Sequence, residues 1–142
     1  MKQMLCQMEK QGKGSILNVA SSAGLFPAGP YMATYYATKS YVTSLTRAVA
    51  LELKEKKSNV YVGALCPGPV DTEFNKVANV EFAIPSITPT YCASYAIRKM
   101  EKRKIVIVPK NKMKVLAFIS RVLPQSLVIR MTARQQKKKR NW

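Results

Sequence analysis

Apolar positions fall into two patterns along the chain. Ser15 to Ala20 (SILNVA) and Val60 to Leu65 (VYVGAL) are short apolar runs closed by Ser, Gly or Pro. Runs of this length between turn residues predict strands buried on both faces. Between them, Ala33 to Lys56 holds no Gly or Pro and places Tyr41, Leu45, Ala48, Val49, Leu51 and Leu53 at spacings suited to a helix packed on the sheet. Strand, helix and strand in this order form a right-handed βαβ crossover in a parallel sheet. The predicted class is therefore α/β.

Beyond the second strand, Glu73 to Thr90 carries Pro85 and Pro89 with little periodicity, which predicts a long loop at the strand's C-terminal end. Thr90 to Lys102 then reads as a helix and Lys104 to Val108 as a third strand. Met113, Leu116, Ala117, Leu123, Leu127, Val128 and Met131 mark two more helices, divided by Pro124.

Composition narrows the chemistry. The 142 residues suit one domain, and the complete lack of histidine removes Ser-His-Asp hydrolysis, Cys-His proteolysis and His-ligated metals. Proton transfer falls to Tyr, Lys or a carboxylate; no metal is expected. Cys6, Cys66 and Cys92 are odd in number and widely spaced, as in a reduced cytoplasmic setting, and Cys66 reads as a small buried hydrophobe. The opening residues lack the apolar stretch of a signal peptide.

The net charge of +17 is concentrated late in the chain. Residues 1–97 hold 9 Lys/Arg against 6 Asp/Glu, whereas residues 98–142 hold 15 against 1. A basic amphipathic segment of this kind is either solvated or makes peripheral contact with an anionic membrane. No recognition motif or stacking platform accompanies the charge, so nucleic acid is not an expected partner.

Tyr35 and Lys39 lie four residues apart at the start of the long helix and project from one face. An ammonium beside a phenol favours the phenolate, giving a general acid or base without histidine. Tyr95 and Lys99 repeat the spacing and serve as a control. Ser22 lies thirteen residues before Tyr35, in the turn after the first strand, while Phe82 lies thirteen before Tyr95. Ligands in open α/β sheets bind at the carboxyl ends of strands, so only the first pair has a partner there.

Gly14-Ser-Ile-Leu-Asn-Val-Ala-Ser-Ser-Ala-Gly24, Tyr35-Tyr-Ala-Thr-Lys39 and Cys66-Pro-Gly-Pro-Val-Asp-Thr72, in that order, closely resemble the short-chain dehydrogenase/reductase superfamily. The resemblance implies a Rossmann-like parallel sheet with flanking helices. It also implies an NAD- or NADP-dependent oxidoreductase that interconverts an alcohol and a ketone or aldehyde. Tyr35 would exchange the proton with the substrate oxygen, Ser22 would orient that oxygen, and Lys39 would depress the Tyr35 pKa and hold the nicotinamide ribose. Pro67, Gly68, Val70 and Thr72 resemble the segment that contacts the nicotinamide carboxamide; Asn18 is given a structural role. Ser21 and Tyr36, each one residue off the spacing, read as neighbours. The equivalent helix commonly packs against a partner subunit in that family, so the resemblance implies a homo-oligomer through the Ala-rich long helix (Ala37, Ala48, Ala50), which in either case packs onto the sheet.

The resemblance runs from Gly14 to about Lys110 and matches the C-terminal half of the family pattern. Residues 1–110 are thus expected to be the catalytic half of a truncated domain, and residues 111–142 a basic helical tail. There is no G-x-x-x-G-x-G, no ribose selector, no Asn-Asn-Ala-Gly and no family Asn ahead of the first strand. At about 30 residues per βαβ unit, on the order of 100 residues of the pattern have no counterpart. The rival expectation is a catalytically silent fragment with an exposed strand edge, at most a membrane-surface module.

Overall fold

The computed structural model describes residues 1–73 and 85–139, with side chains through residue 137. Helix α1 (Lys2–Lys10) leads into strand β1 (Ser15–Val19), a short 3-10 turn (Ser22–Leu25), helix α2 (Ala33–Glu55) and strand β2 (Tyr61–Leu65). Helix α3 (Pro89–Glu101), strand β3 (Val106–Ile107) and helices α4 (Asn111–Val122) and α5 (Gln125–Lys139) follow.

The three strands are parallel, in the order β1-β2-β3, with Ser15 opposite Tyr61 and Ala64 opposite Val106. All five residues of β2 are buried, because helices cover both faces of the sheet. On one face, Ile16 and Val62 pack with Leu53 and Val49 of α2 and with Met8 of α1. On the other, Leu65 and Ile107 pack with Cys92 and Ala96 of α3. A third cluster, Ala20, Ala64, Cys66 and Val108 with Met113 and Ala117 of α4, closes the C-terminal ends of the strands.

Two sequence expectations change. The third strand is shorter than Lys104–Val108, as only Val106 and Ile107 pair with β2. The inner face of α2 is also not the expected apolar stripe. Tyr41 is 67% exposed and Leu51 54%, while Thr43 and Thr46 are buried against the sheet. Each threonine donates its hydroxyl to the carbonyl four residues back, Lys39 (2.8 Å) and Val42 (2.7 Å), so neither enters the core unsatisfied. Their small size lets α2 approach the 3-10 turn so closely that a Cβ on Gly24 would strike the Lys39 carbonyl. Asn18, in the middle of β1, donates to the Thr46 hydroxyl at 2.9 Å and so ties strand to helix, a structural role.

The long loop ends at Thr88, whose side chain accepts from the Tyr91 N–H to cap α3, rather than at Thr90. The part of that loop between residues 74 and 84 lies outside the described residues, as does the end of the basic run from residue 140.

Candidate active site

The C-terminal ends of β1 and β2 open into a cavity of about 590 Å³. Ser22, Tyr35, Lys39, Pro67, Gly68, Val70 and Thr72 all line it. The seven residues singled out in the sequence therefore share one surface, at the strand end where open α/β sheets bind ligands.

Ser21, Ser22, Tyr35 and Tyr36 all line the cavity, and their hydrogen bonds separate the neighbours. Ser21 is buried and its hydroxyl accepts from the Ala23 N–H at 3.1 Å, capping the 3-10 turn. Ser22 is held through its backbone, its N–H donating to the Pro67 carbonyl at 2.7 Å, and no described residue occupies its hydroxyl. Tyr36 is likewise spent. It is buried, and its hydroxyl accepts from Gln136 Nε2 at 2.8 Å. Burial, only partly offset by that bond, pushes the Tyr36 phenol above its ordinary range.

Lys39 donates to the Val19 carbonyl at 3.3 Å, which holds its ammonium at the end of β1, and Nζ stands 5.8 Å from the centre of the Tyr35 ring. The control pair has nearly the same geometry, with Lys99 Nζ 5.3 Å from the Tyr95 ring. There, however, Lys114 donates to the Tyr95 hydroxyl at 3.0 Å on the outside of the molecule. Spacing alone produces the cation over the ring; only the Tyr35–Lys39 pair stands at the strand ends.

After β2, the chain from Pro67 to Asp71 is fixed by a parallel bridge between Val70 and Ile87. The Asp71 N–H donates to the Ile87 carbonyl at 2.9 Å and the Ile87 N–H to the Pro69 carbonyl at 3.0 Å. Beneath this segment, burial raises the Cys66 thiol above its usual value, consistent with a packing role.

The sequence did not foresee the opposite wall. Helices α4 and α5, with Leu123 between them, supply the apolar Met113, Leu116, Ile119, Leu123, Val128 and Met131, and Ser120, Thr132 and Gln135 lie among these. Helical periodicity marked several of these as inward-facing, but nothing in it joined them to the strand ends. Gln136 also lines the cavity, and only its contact with Tyr36, a hundred residues earlier, reveals it. Among the described residues no group of carboxylates and cysteines could hold a metal ion, and no helix is long and apolar enough to cross a membrane.

A parallel sheet with a Ser, Tyr and Lys gathered at its strand ends defines a nucleotide-fold protein of the Rossmann type. The model for short chain dehydrogenases matches residues 1–81, more than half of the sequence, and the chain belongs to that family. It is similar to D-beta-hydroxybutyrate dehydrogenase of Rhizobium meliloti, with 46% identity over 65 residues, 46% of this chain and 24% of that protein. Dehydrogenase/reductase SDR family member 4 of Bos taurus is 35% identical over 101 residues, 71% of this chain and 34% of that protein. A solved short chain dehydrogenase from Burkholderia cenocepacia, in complex with NADP, gives a TM-score of 0.73 at 20% identity, covering 93% of this chain and 54% of that one. At that identity the likeness is one of fold. The chain spans between a quarter and about a third of these curated relatives and about half of the solved structure.

Proposed function

We propose that this chain carries the proton-transfer side of an NAD- or NADP-dependent oxidoreductase that interconverts an alcohol and a ketone or aldehyde. The observation that carries the reading is the convergence of Ser22, Tyr35, Lys39 and the Pro67 to Thr72 segment on one cavity at the strand ends. The donor set fits the nicotinamide-ribose end of a dinucleotide: an ammonium anchored by one bond to Val19, a Thr hydroxyl, and backbone held rigid by the Ile87 bridge. When bound, the dinucleotide supplies or accepts the hydride.

The residues divide the remaining work. Ser22 donates a hydrogen bond to the substrate oxygen and holds it toward Tyr35. Tyr35 gives its phenolic proton to that oxygen in reduction and takes it back in oxidation. Lys39 places a positive charge beside the phenol and can bond the ribose with the donors that Val19 leaves over. The apolar wall of α4 and α5 keeps water from the reacting atoms and favours a substrate with a large hydrocarbon body. In this reading residues 1–110 form the catalytic part of the domain, and helices α4 and α5 complete its substrate wall.

The test is titration of the protein with NADH and NADPH, followed by fluorescence transfer, with a carbonyl-reduction screen beside a Tyr35→Phe variant. Dinucleotide binding with turnover lost in Tyr35→Phe is the expected result; undiminished turnover in that variant overturns the assignment.

A second reading concerns the outer face of α4. Phe118 and Val122 are 67% and 72% exposed, Val115 completes their stripe, and Lys112, Lys114 and Arg121 lie on the same helix. Apolar residues flanked by cations suit peripheral contact with an anionic membrane. Sedimentation with anionic but not neutral vesicles is expected, reduced by Phe118→Glu; equal binding to both vesicle types refutes it.

A further inference from the structure

We propose that Gln136 recognises the far end of the substrate: its Oε1 accepts a hydrogen bond from a hydroxyl carried by an elongated, otherwise apolar ketone or alcohol. The inference rests on the oxidoreductase reading and adds the class of molecule the cavity takes.

Gln136 is 2% exposed, lines the cavity, and is tied at one end only. Its Nε2 donates to the Tyr36 hydroxyl, while Oε1 has no partner; among the described residues it is the only buried side-chain polar atom in that condition. Exchanging the two ends of the amide does not remove the problem. The Tyr36 hydroxyl could donate to the oxygen instead, but the NH2 group would then be orphaned. A buried amide with one end unpaired is costly to keep, and such groups in native structures call for a partner.

The surroundings supply none. Thr132, one turn earlier on α5, has its single hydroxyl proton directed to backbone, with the carbonyls of Ala28, Val128 and Ile129 all within reach. Ser120 donates its hydroxyl to the Ala117 carbonyl, and Gln135 joins the apolar set from α4 and α5 in the rest of that wall. A ligand filling the cavity therefore meets a largely apolar wall in which Gln136 is the buried amide with an unpaired oxygen. The acceptor is also indexed to the reacting end. Its anchor, Tyr36, adjoins Tyr35, and the two rings meet edge to face with centres 6.3 Å apart. Substrate length is thus read from the Tyr35 hydroxyl to the Gln136 amide.

Isothermal titration calorimetry of the full chain, with and without NADPH, would use methyl ketones of graded chain length. Each would be offered with a terminal hydroxyl, with a terminal keto group, and with neither. At one chain length the hydroxy ketone should bind about tenfold more tightly than its plain counterpart. Gln136→Leu, close in size, should abolish that preference while binding the plain ketone at least as well. Tyr36→Phe, which frees the amide, should weaken the preference, with circular dichroism and thermal melts verifying that both variants fold. A merely structural Gln136 would lower the melting temperature on substitution and leave any hydroxyl preference in place, which overturns the proposal. Preference for the diketone overturns the acceptor assignment. Plain ketones that bind with no hydroxyl preference at any length sink this inference and leave the oxidoreductase reading standing; failure of every ketone to bind removes both.

Discussion

Ser21→Ala and Ser22→Ala, adjacent and chemically identical changes, should have opposite consequences. Ser21 Oγ accepts from the Ala23 N–H, and both residues are buried. Removing it leaves a buried donor unpaired and uncaps the turn, which costs about 1.5 kcal/mol. With about 2.1 cal/mol/K of unfolding entropy per residue, a 142-residue chain loses roughly 5 °C of Tm for that cost. Ser22 is held by its backbone bond to Pro67, which alanine preserves, so its stability change should stay within about 0.5 kcal/mol. Its loss should instead appear in carbonyl reduction, as a fall of roughly 100-fold or more in kcat, the scale for removing one donor from a reacting oxygen. Thermal melts and NADPH-coupled turnover of both variants decide the matter. If Ser21→Ala loses turnover with an unchanged Tm while Ser22→Ala melts early and still turns over, the site is one residue out of register and the assignment fails.

Other expectations rest on different parts of the structure. Lys57 and Arg103 sit at positive φ (55° and 51°) just after α2 and α3, where glycine is favoured. Lys57→Gly should raise stability by about 1 kcal/mol, whereas Arg103→Gly should lower it, since the Arg103 guanidinium donates to the carbonyls of Asn59 and Val60; denaturant midpoints would distinguish them. The raised Tyr36 pKa has a defined sign: above its ordinary value of 10.0 the unfolded chain loses a proton that the folded chain keeps. That contribution is whole below about pH 10 and is lost as the pH rises through the folded-state value. Melts across the alkaline range should show a shallower loss for Tyr36→Phe, leaving the share due to Tyr61, Cys66 and Cys92, which burial also raises. The exposed Tyr41 and Leu45 on α2 offer a self-association surface for the expected homo-oligomer. Tyr41→Lys should then lower the sedimentation coefficient at fixed concentration, and an unchanged value would refute the surface.

The strands and helices were legible because their periods differ and because Gly and Pro punctuate them. What period could not convey is how a polar side chain is satisfied. Thr43 and Thr46 are not among the apolar positions that the period picks out, yet each returns its hydroxyl to its own helix and goes inside, while Tyr41 and Leu51 face outward. The site shows the same division. Tyr35 with Lys39 and Tyr95 with Lys99 place a cation over a ring at almost equal distances, so the local code for the pair carries no information about use. Their difference is topological: the first pair stands at the C-terminal ends of two parallel strands, and Ser22 reaches it through the Pro67 carbonyl of the neighbouring strand's exit. Gln136 is the extreme case. Nothing near it in sequence distinguishes it from Gln135, and only packing of α5 over the cavity leaves one amide buried, anchored by Tyr36, with its oxygen unpaired. Local pattern together with topology therefore finds the residues proposed to move the proton, while the residue proposed to choose the molecule comes from a contact a hundred positions apart. Substitutions in the first set should alter turnover across all carbonyl substrates, and substitutions in the second should re-rank the substrates among themselves.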